Sequence, residues 1–150
     1  MTQRRQTPQL EIVVQDPESA RTAVLNGADR VELCMGLGAT GGLTPSLGLT
    51  QAVAAQLRRT PTHAAGTAGL SVLIRPTEGG FDYDDALVDV MARDVAAVGS
   101  VPGVTALVFG VLTDHNSVDT SAMLTLVDAV RAVDALDTRD EAPLDLVFHR

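Results

Sequence analysis

The feature that most constrains the fold is a repeated alternation of short apolar runs with longer segments of helical periodicity. Five runs rich in Val, Leu and Ile predict buried strands, at residues 10–14, 30–34, 70–75, 104–110 and 144–149. The segments between them predict four helices, at residues 17–26, 44–59, 84–98 and 119–133. Strands that alternate with helices form right-handed βαβ units and a parallel sheet. The alternation therefore predicts an α/β fold.

The start of the second helix is indicated by its capping residues. In the sequence Thr44-Pro45-Ser46, Thr44 is the predicted N-cap and Pro45 the first helical residue. Ahead of this helix, the glycine-rich stretch at 36–42 predicts a loop. Residues 1–8 are polar and precede the first strand, so we expect them to form a flexible N-terminal extension.

Length and composition indicate one globular domain and exclude some classes of partner. A chain of 150 residues with 45% hydrophobic residues can bury a single core. The net charge of −8 repels phosphate backbones, so nucleic acid is not an expected partner. No apolar run approaches the roughly 18 residues that span a bilayer, so we expect a cytoplasmic protein without a membrane partner. The single cysteine, Cys34, cannot form an internal disulfide, which agrees with a reducing compartment.

The parallel sheet could be an open, doubly wound sheet or a barrel, and periodicity alone does not decide between them. No GxGxxG follows the first strand, which removes the commonest nucleotide-binding form of the open sheet. One face of each predicted strand is apolar enough to meet a layer of helices, while the other carries polar residues that a barrel would enclose. We therefore predict a TIM-like (β/α) barrel as a single domain over residues 1–150.

The inward face of the predicted barrel carries the candidate functional residues Glu11, Glu32, Cys34, Arg75 and His149. Cys34, Arg75 and His149 stand at the C-terminal ends of their strands, the rim where barrel active sites lie. Glu32 and His149 are candidate general bases, and Arg75 is a candidate anchor for an anion. Two plainer interpretations stay open: Glu/Arg pairs that only join strands, and a cysteine that is a small inert core residue.

Several longer blocks of sequence carry a resemblance to a known family. They are LEI at 10–12, NGADRVELC at 26–34, GGLTPSLG at 41–48, IRP at 74–76, LVFGVLT at 107–113 and FHR at 148–150. With these blocks the chain resembles the CutC copper homeostasis family. The resemblance implies a TIM-like barrel, a cytoplasmic location, homo-oligomers and a role in binding copper as Cu(I). By position, Cys34 matches the thiolate ligand proposed for that family.

Three differences separate the chain from the family pattern. Val13 stands where members often carry a second cysteine, so a two-thiolate arrangement for Cu(I) is reduced to one sulfur. Thr77 stands where the family segment IRPRGGDF has an arginine, which alters a loop suited to anions. A complete barrel takes roughly 250 residues. We therefore expect an incomplete barrel with exposed strand edges, from a shortened piece of a longer protein or a truncated gene product.

The first functional hypothesis is copper homeostasis of the CutC type. The resemblance and the shared rim position suggest Cys34 as a soft ligand for Cu(I) and His149 as a second ligand. The expected cofactor is then copper. We do not select His115, which lies in a polar turn, or His63, which lies in a loop, as metal ligands.

The second hypothesis is a barrel enzyme that acts on a small anionic or carbonyl metabolite. Arg75 would hold the anion, Glu32 or His149 would be the general base, and the helix start at Thr44 and Ser46 would add backbone donors. A capped helix without any ligand is the plainer interpretation of that start. The third hypothesis is a non-catalytic barrel fragment that assembles with itself or with a missing half. No Ser/His/Asp arrangement or P-loop is present to name a reaction.

Overall fold

The computed structural model describes residues 9–62, 68–136 and 142–150. They form five strands and five helices in the order β1 (Glu11–Val14), α1 (Pro17–Leu25), β2 (Arg30–Leu33), α2 (Leu37–Thr40), α3 (Leu47–Leu57), β3 (Gly69–Leu73), α4 (Asp85–Gly99), β4 (Ala106–Phe109), α5 (Thr120–Asp134) and β5 (Asp145–Phe148). The predicted α/β alternation is confirmed. The expected flexible extension at 1–8 and His63 lie outside the described residues.

The five strands form one parallel sheet whose spatial order is the same as their order in the chain. A doubly wound sheet reverses its strand order at a switch point, whereas a barrel adds each new strand on the same side. The consecutive order therefore decides for the barrel. Within the described residues β1 and β5 do not pair with each other, so the sheet stays open and the predicted incomplete barrel is confirmed.

The convex face of the sheet carries the main hydrophobic core. Leu33, Val72, Leu107 and Phe109 are at most 2% exposed and face the helices. Along this face α1 packs against α3, and α4 packs against α5. Because the helices cover this face, the apolar side of β2, β3 and β4 is withdrawn from water and stabilises the sheet. No helix in the described ranges combines the length and apolarity needed to cross a membrane.

The concave face carries the polar set, and the strand register arranges it in layers, as in a barrel interior. The lowest layer holds Glu11, Arg30 and Gly69. The next layer holds Val13, Glu32, Ser71, Ala106 and Asp145. Above them, Cys34 packs with Leu73, Val108 and Val147 in a small apolar cluster. The predicted inward face for Glu11, Glu32 and Cys34 is therefore confirmed.

Two predictions about the segment between β2 and β3 are wrong. The stretch 36–42 contains the short helix α2, which Gly36 and Gly41 bracket in left-handed conformations while the Thr40 hydroxyl donates to the Gly36 carbonyl. The next helix does not begin at Pro45. Ser46 is its N-cap, with the Oγ accepting from the Leu49 N–H, and α3 starts one residue later.

Candidate functional site

Arg75 lies at the C-terminal rim of the sheet, just after β3, and is only 6% exposed. Its Nη1 donates to the carbonyls of Thr40 at 2.7 Å and Gly42 at 2.9 Å. Its Nη2 donates to the Gly79 carbonyl at 2.7 Å. One guanidinium thus joins the loop after β2 to the loop after β3. No carboxylate forms an ion pair with it within the part of the chain that the structure describes.

The hydrogen bonds of Arg75 leave part of the guanidinium without an acceptor. A guanidinium has five N–H donors, and three of them are taken by backbone carbonyls. Nε is buried and has no hydrogen-bond partner among the described residues. A buried donor without a partner costs free energy, about 1–3 kcal/mol for a typical group. The rim therefore holds a positive charge without a carboxylate partner and a buried Nε–H without an acceptor among the described residues.

Two aromatic rings border this charge. The Phe81 ring lies over the guanidinium, with its centroid 4.8 Å from the Arg75 Cζ. The His149 ring meets Phe81 edge to face, at a centroid distance of 5.5 Å. Gly110 makes room for His149, because a Cβ at that glycine would overlap the His149 carbonyl. Arg75 and Phe81 from the end of β3 thus converge with His149 from the end of β5.

The rim environment disfavours a second positive charge. Burial lowers the pKa of His149, and the charge of Arg75 lowers it further. His149 is therefore a neutral imidazole at pH 7. Burial raises the pKa of Tyr83, while a side-chain hydrogen bond to Arg75 and the charge of that guanidinium act in the opposite direction. The Tyr83 phenol therefore stays protonated beside the guanidinium.

The two predicted pocket residues at the start of α3 serve the backbone. The Thr44 Oγ1 accepts from the Arg75 N–H at 2.8 Å, and the Thr44 N–H donates to the Arg75 carbonyl at 2.9 Å. Since its hydroxyl is engaged there, Thr44 does not cap the helix. Ser46 does so instead, with its Oγ 3.2 Å from the Leu49 nitrogen. Thr44 thus joins the segment before α3 to the backbone of Arg75, and Ser46 caps α3.

Cys34 lies on the concave face as predicted, but in an apolar setting. It is 1% exposed and unpaired, and Leu73 and Val108 pack around it. Gly42 closes over it, since a Cβ at that glycine would lie 3.4 Å from the Cys34 Sγ. Burial raises the pKa of the Cys34 thiol, and the Glu32 carboxylate raises it further. The thiol is therefore protonated at neutral pH and packs as a small core residue.

The described residues offer Cu(I) a single sulfur ligand. Copper(I) favours soft sulfur ligands, and a cysteine must lose its proton to bind a metal. Cys34 contributes one buried, protonated sulfur. Within residues 9–62, 68–136 and 142–150, no group of three or more His, Cys, Asp or Glu residues could hold a metal ion. Cys34 and His149 are therefore not assembled into such a group.

At the lower end of the concave face, Arg30 forms the ion pairs that the plainer interpretation describes. Its Nη2 lies 2.8 Å from the Glu11 Oε2 and its Nη1 lies 4.0 Å from the Asp145 Oδ2. Gly69 leaves space for the Arg30 side chain, because a Cβ at that glycine would lie 3.1 Å from the Arg30 Cγ. The arginine therefore links β1 and β2 to β5 across the sheet.

Glu32 lies one layer above this ion pair. Burial raises the pKa of Glu32, and repulsion from Glu11 raises it further, while Arg30 partly opposes both. Its neighbour across the register is Ser71, whose buried Oγ has no hydrogen-bond partner among the described residues. A raised pKa suits a general base, so Glu32 remains a candidate for that role.

The structure brings together only part of the predicted site. Arg75 and His149 meet at the rim, Glu11 and Glu32 lie in lower layers, and Cys34 lies in the apolar cluster. Sequence reasoning missed Phe81, which borders both rim residues. Its position in the glycine-rich loop after β3 was the available signal. A groove of about 320 Å³ between α4 and α5 involves none of the predicted site residues.

Comparison with known proteins shows which family the chain resembles. The model of the CutC family matches residues 8–146. The copper homeostasis protein cutC homolog of Homo sapiens is 35% identical over 141 residues, which are 94% of this chain and 44% of that protein. A family protein CutC of Xanthomonas axonopodis pv. citri is 43% identical over 141 residues, which are 94% of this chain and 50% of that protein.

A solved structure agrees with the sequence matches. The crystal structure of a copper homeostasis protein CutC from Streptococcus agalactiae superposes with a TM-score of 0.77 at 29% identity, covering 95% of this chain and 59% of that chain. The chain spans about half the length of the curated relatives it matches. On its family match, its relatives and its fold, the chain belongs to the CutC copper homeostasis family.

Proposed function

We propose that the rim around Arg75 is a binding site for a small anionic or carbonyl compound. The observation that carries this proposal is a buried guanidinium that has no carboxylate partner among the described residues and whose Nε has no acceptor. Burying an unpaired charge is costly, so such a group is expected where a ligand of opposite charge binds. The C-terminal rim of a barrel is also where catalytic and binding residues stand.

The surrounding side chains suit an organic ligand. Phe81 offers an apolar surface beside the guanidinium, and His149 offers a neutral imidazole that can accept a hydrogen bond or a proton. All eleven basic residues are arginines, so these 150 residues contain no lysine that could form a Schiff base with a carbonyl ligand. Polarisation by Arg75 and proton transfer by His149 or Glu32 are the chemistry that this set supports.

Calorimetric titration with a panel of small anions and carbonyl compounds tests the proposal. We expect at least one compound to bind the wild-type chain and to lose about tenfold in affinity with Arg75→Lys, which keeps the charge but not the planar donors. Arg93→Lys is the matched control, since that side chain is 79% exposed on α4 and should leave affinity unchanged. The absence of binding across the panel, or equal affinity of wild type and Arg75→Lys, would contradict the proposal.

A role in handling copper is the second candidate, and family membership favours it. The human relative carries copper homeostasis in its name. For this chain we propose Cys34 as the sulfur that meets Cu(I), with His149 as the second ligand. Because Cys34 is 1% exposed under Gly42, the loop over it must open before the metal can reach the sulfur.

Competition with a Cu(I) chelator under reducing conditions tests the copper candidate. Wild type and Cys34→Ala are compared after circular dichroism has established that both fold, and His149→Gln gives the contribution of the second ligand. Tight binding that Cys34→Ala abolishes would support the copper role. Equal affinity of wild type and Cys34→Ala for Cu(I) would contradict the copper role.

We also propose that the chain lies in the cytoplasm and associates with copies of itself. The edge strands expose apolar side chains, with Ile12 on β1 at 38% and Phe148 on β5 at 47%. Exposed edge strands favour pairing with another chain. We therefore expect homo-oligomers that Phe148→Lys weakens, as measured by sedimentation velocity. A wild-type chain that sediments as a monomer at all concentrations would contradict this expectation.

A further inference from the structure

We infer that residues 36–42 form a strap that Arg75 holds closed over Cys34, and that this strap opens while the rest of the barrel stays folded, which exposes the thiol. The inference concerns access to the thiol, so it holds whichever ligand binds at the rim. The strap contains the short helix α2 and the glycines that bracket it. Cys34 beneath it is 1% exposed and is the only cysteine in the sequence.

The strap covers the thiol directly. Gly42, its last residue, lies so close to Cys34 that an added Cβ would be 3.4 Å from the Sγ. Leu73 on β3 and Val108 on β4 pack against the same cysteine. Both of those strands are paired with a neighbour on each side, so they cannot move away without breaking the sheet. The strap is therefore the part of this enclosure that can open locally.

The strap is fixed at its two ends and loosely packed between them. Met35 and Leu43, which flank it, form an antiparallel bridge with backbone hydrogen bonds of 2.9 Å and 2.8 Å. No residue of α2 is buried, so little apolar contact holds the strap against the sheet. Gly36 and Gly42 have φ angles of +66° and +106°, and the conformational freedom of glycine suits both positions to be hinges.

Arg75 joins this loosely packed strap to the sheet. Its Nη1 donates to the Thr40 carbonyl at 2.7 Å and to the Gly42 carbonyl at 2.9 Å. The guanidinium itself is held on the other side, because Nη2 donates to the Gly79 carbonyl at 2.7 Å and the Phe81 ring lies over Cζ. Opening of the strap therefore breaks the two Nη1 hydrogen bonds, both of which are charge-assisted, and leaves Arg75 in place.

A second attachment lies at the exposed end of the strap and is expected to be weaker. There the Leu37 N–H donates to the Gln15 Oε1 at 2.9 Å. A neutral hydrogen bond in contact with water contributes less stability than charge-assisted bonds to a buried guanidinium. The structure thus ranks the two attachments, with Arg75 above Gln15, and the ranking can be measured.

Alkylation of Cys34 by iodoacetamide, an uncharged reagent, tests the inference when it is followed by intact mass. We expect the wild-type chain to react about a hundredfold more slowly than the chain unfolded in urea, and its rate to change little at low urea, since only the strap opens. We expect Arg75→Lys to react about tenfold or more faster than wild type, because lysine lacks the planar donors. Gln15→Ala should raise the rate by at most about threefold.

Leu126→Ala is the matched control for general loss of stability. Leu126 is fully buried on α5 in the main core, which is a different cluster from that of Cys34. We expect this variant to be alkylated at about the wild-type rate in the absence of urea. Equal acceleration by Leu126→Ala and Arg75→Lys would overturn the inference.

The wild-type chain alone also decides the matter, so the test does not depend on a variant that folds. A wild-type rate that rises steeply with urea from the lowest concentrations would show that only global unfolding exposes the thiol, and would overturn the local opening. A wild-type thiol that reacts as fast as in the unfolded chain would overturn the closed strap. A slow rate that is independent of low urea is the predicted result.

Discussion

Arg30 and Arg75 lie at opposite ends of the same concave face and have different surroundings. Arg30 pairs with Glu11 at 2.8 Å and approaches Asp145 at 4.0 Å, and its side chain is 25% exposed. Arg75 is 6% exposed, donates to three backbone carbonyls and has the Tyr83 phenol beside it. The lower arginine is neutralised by carboxylates, whereas the upper one is not.

This difference distinguishes an arginine that connects strands, Arg30, from an arginine that can also bind a ligand, Arg75. In parallel barrels the lower end contributes stability, while the rim at the C-terminal ends of the strands carries function. Arg30 fits the first role, because its charge is used to connect β1, β2 and β5. Arg75 combines both roles, because it holds two loops and its Nε has no acceptor among the described residues. The rim is therefore the better place to search for a ligand.

The largest expected effect is the loss of the Arg75 side chain. Arg75→Met leaves the carbonyls of Thr40, Gly42 and Gly79 without their donor, so we expect the free energy of unfolding to fall by about 3 kcal/mol or more. Urea unfolding measures the change. The control Arg93→Met removes an exposed side chain and should cost at most about 0.5 kcal/mol. Equal effects of the two changes would contradict the role of Arg75 in holding the two loops together.

The second effect concerns the glycine between Arg75 and Cys34. Gly42 has φ +106°, and an added Cβ would lie 2.9 Å from the Leu73 Cδ2. Gly27 has a similar φ of +99° but no atom within 4 Å of such a Cβ. We expect Gly42→Ala to destabilise the fold by about 1–3 kcal/mol more than Gly27→Ala, because only the first overfills the apolar cluster. Thermal unfolding compares the two, and indistinguishable melting temperatures would show that the loop moves aside.

The third effect concerns the lower ion pair. Arg30→Met and Glu11→Gln each break a partly exposed pair, so we expect each to cost about 1 kcal/mol, decreasing with added salt. A double-mutant cycle in urea measures the coupling between them. Neither change should affect the binding of a small anion such as acetate at the rim. A loss of that affinity in Arg30→Met would mean that the two ends of the face act together.

The smallest effect is the pH dependence contributed by His149. Its pKa is lowered in the folded state, so the unfolded chain takes up the proton first as the pH falls. The stability contributed by neutral His149 is present above its ordinary pKa of about 6.5 and is lost as the pH falls through the lower folded value. We expect wild type to lose more stability than His149→Gln between pH 7.5 and 5.5, as measured by urea unfolding. Identical losses of stability in wild type and His149→Gln would contradict the lowered pKa of His149.

Much of the fold could be predicted from the sequence because strands and helices have distinct apolar periods. The starts of α1, α4 and α5 follow the caps Asp16, Asp84 and Asp119, whose carboxylates accept from the first-turn N–H groups. The short helix α2 was missed because glycines at both of its ends predict a loop. The start of α3 was misplaced because the Thr44 hydroxyl bonds to the Arg75 backbone, a contact between residues 31 apart in the chain.

The candidate site was only partly predictable. Strand alternation placed Arg75 and His149 correctly, since it depends on local geometry. The partners of Arg75 are backbone carbonyls in two loops, and no residue type marks a carbonyl as an acceptor. The setting of Cys34 depends on Gly42, which closes over it from the next loop. Contacts between distant segments therefore decided what each predicted residue can do.

The most direct test compares the two arginines in one spectrum. Each arginine Nε–H gives its own ¹H–¹⁵N signal, and Arg75→Lys and Arg30→Lys assign the two that matter. The account predicts that a small anion such as acetate shifts the Arg75 signal in a saturable manner, because that Nε has no acceptor among the described residues, and leaves the Arg30 signal unchanged. An unchanged Arg75 signal, or equal shifts of both signals, would contradict the claim that the rim arginine holds the free binding capacity.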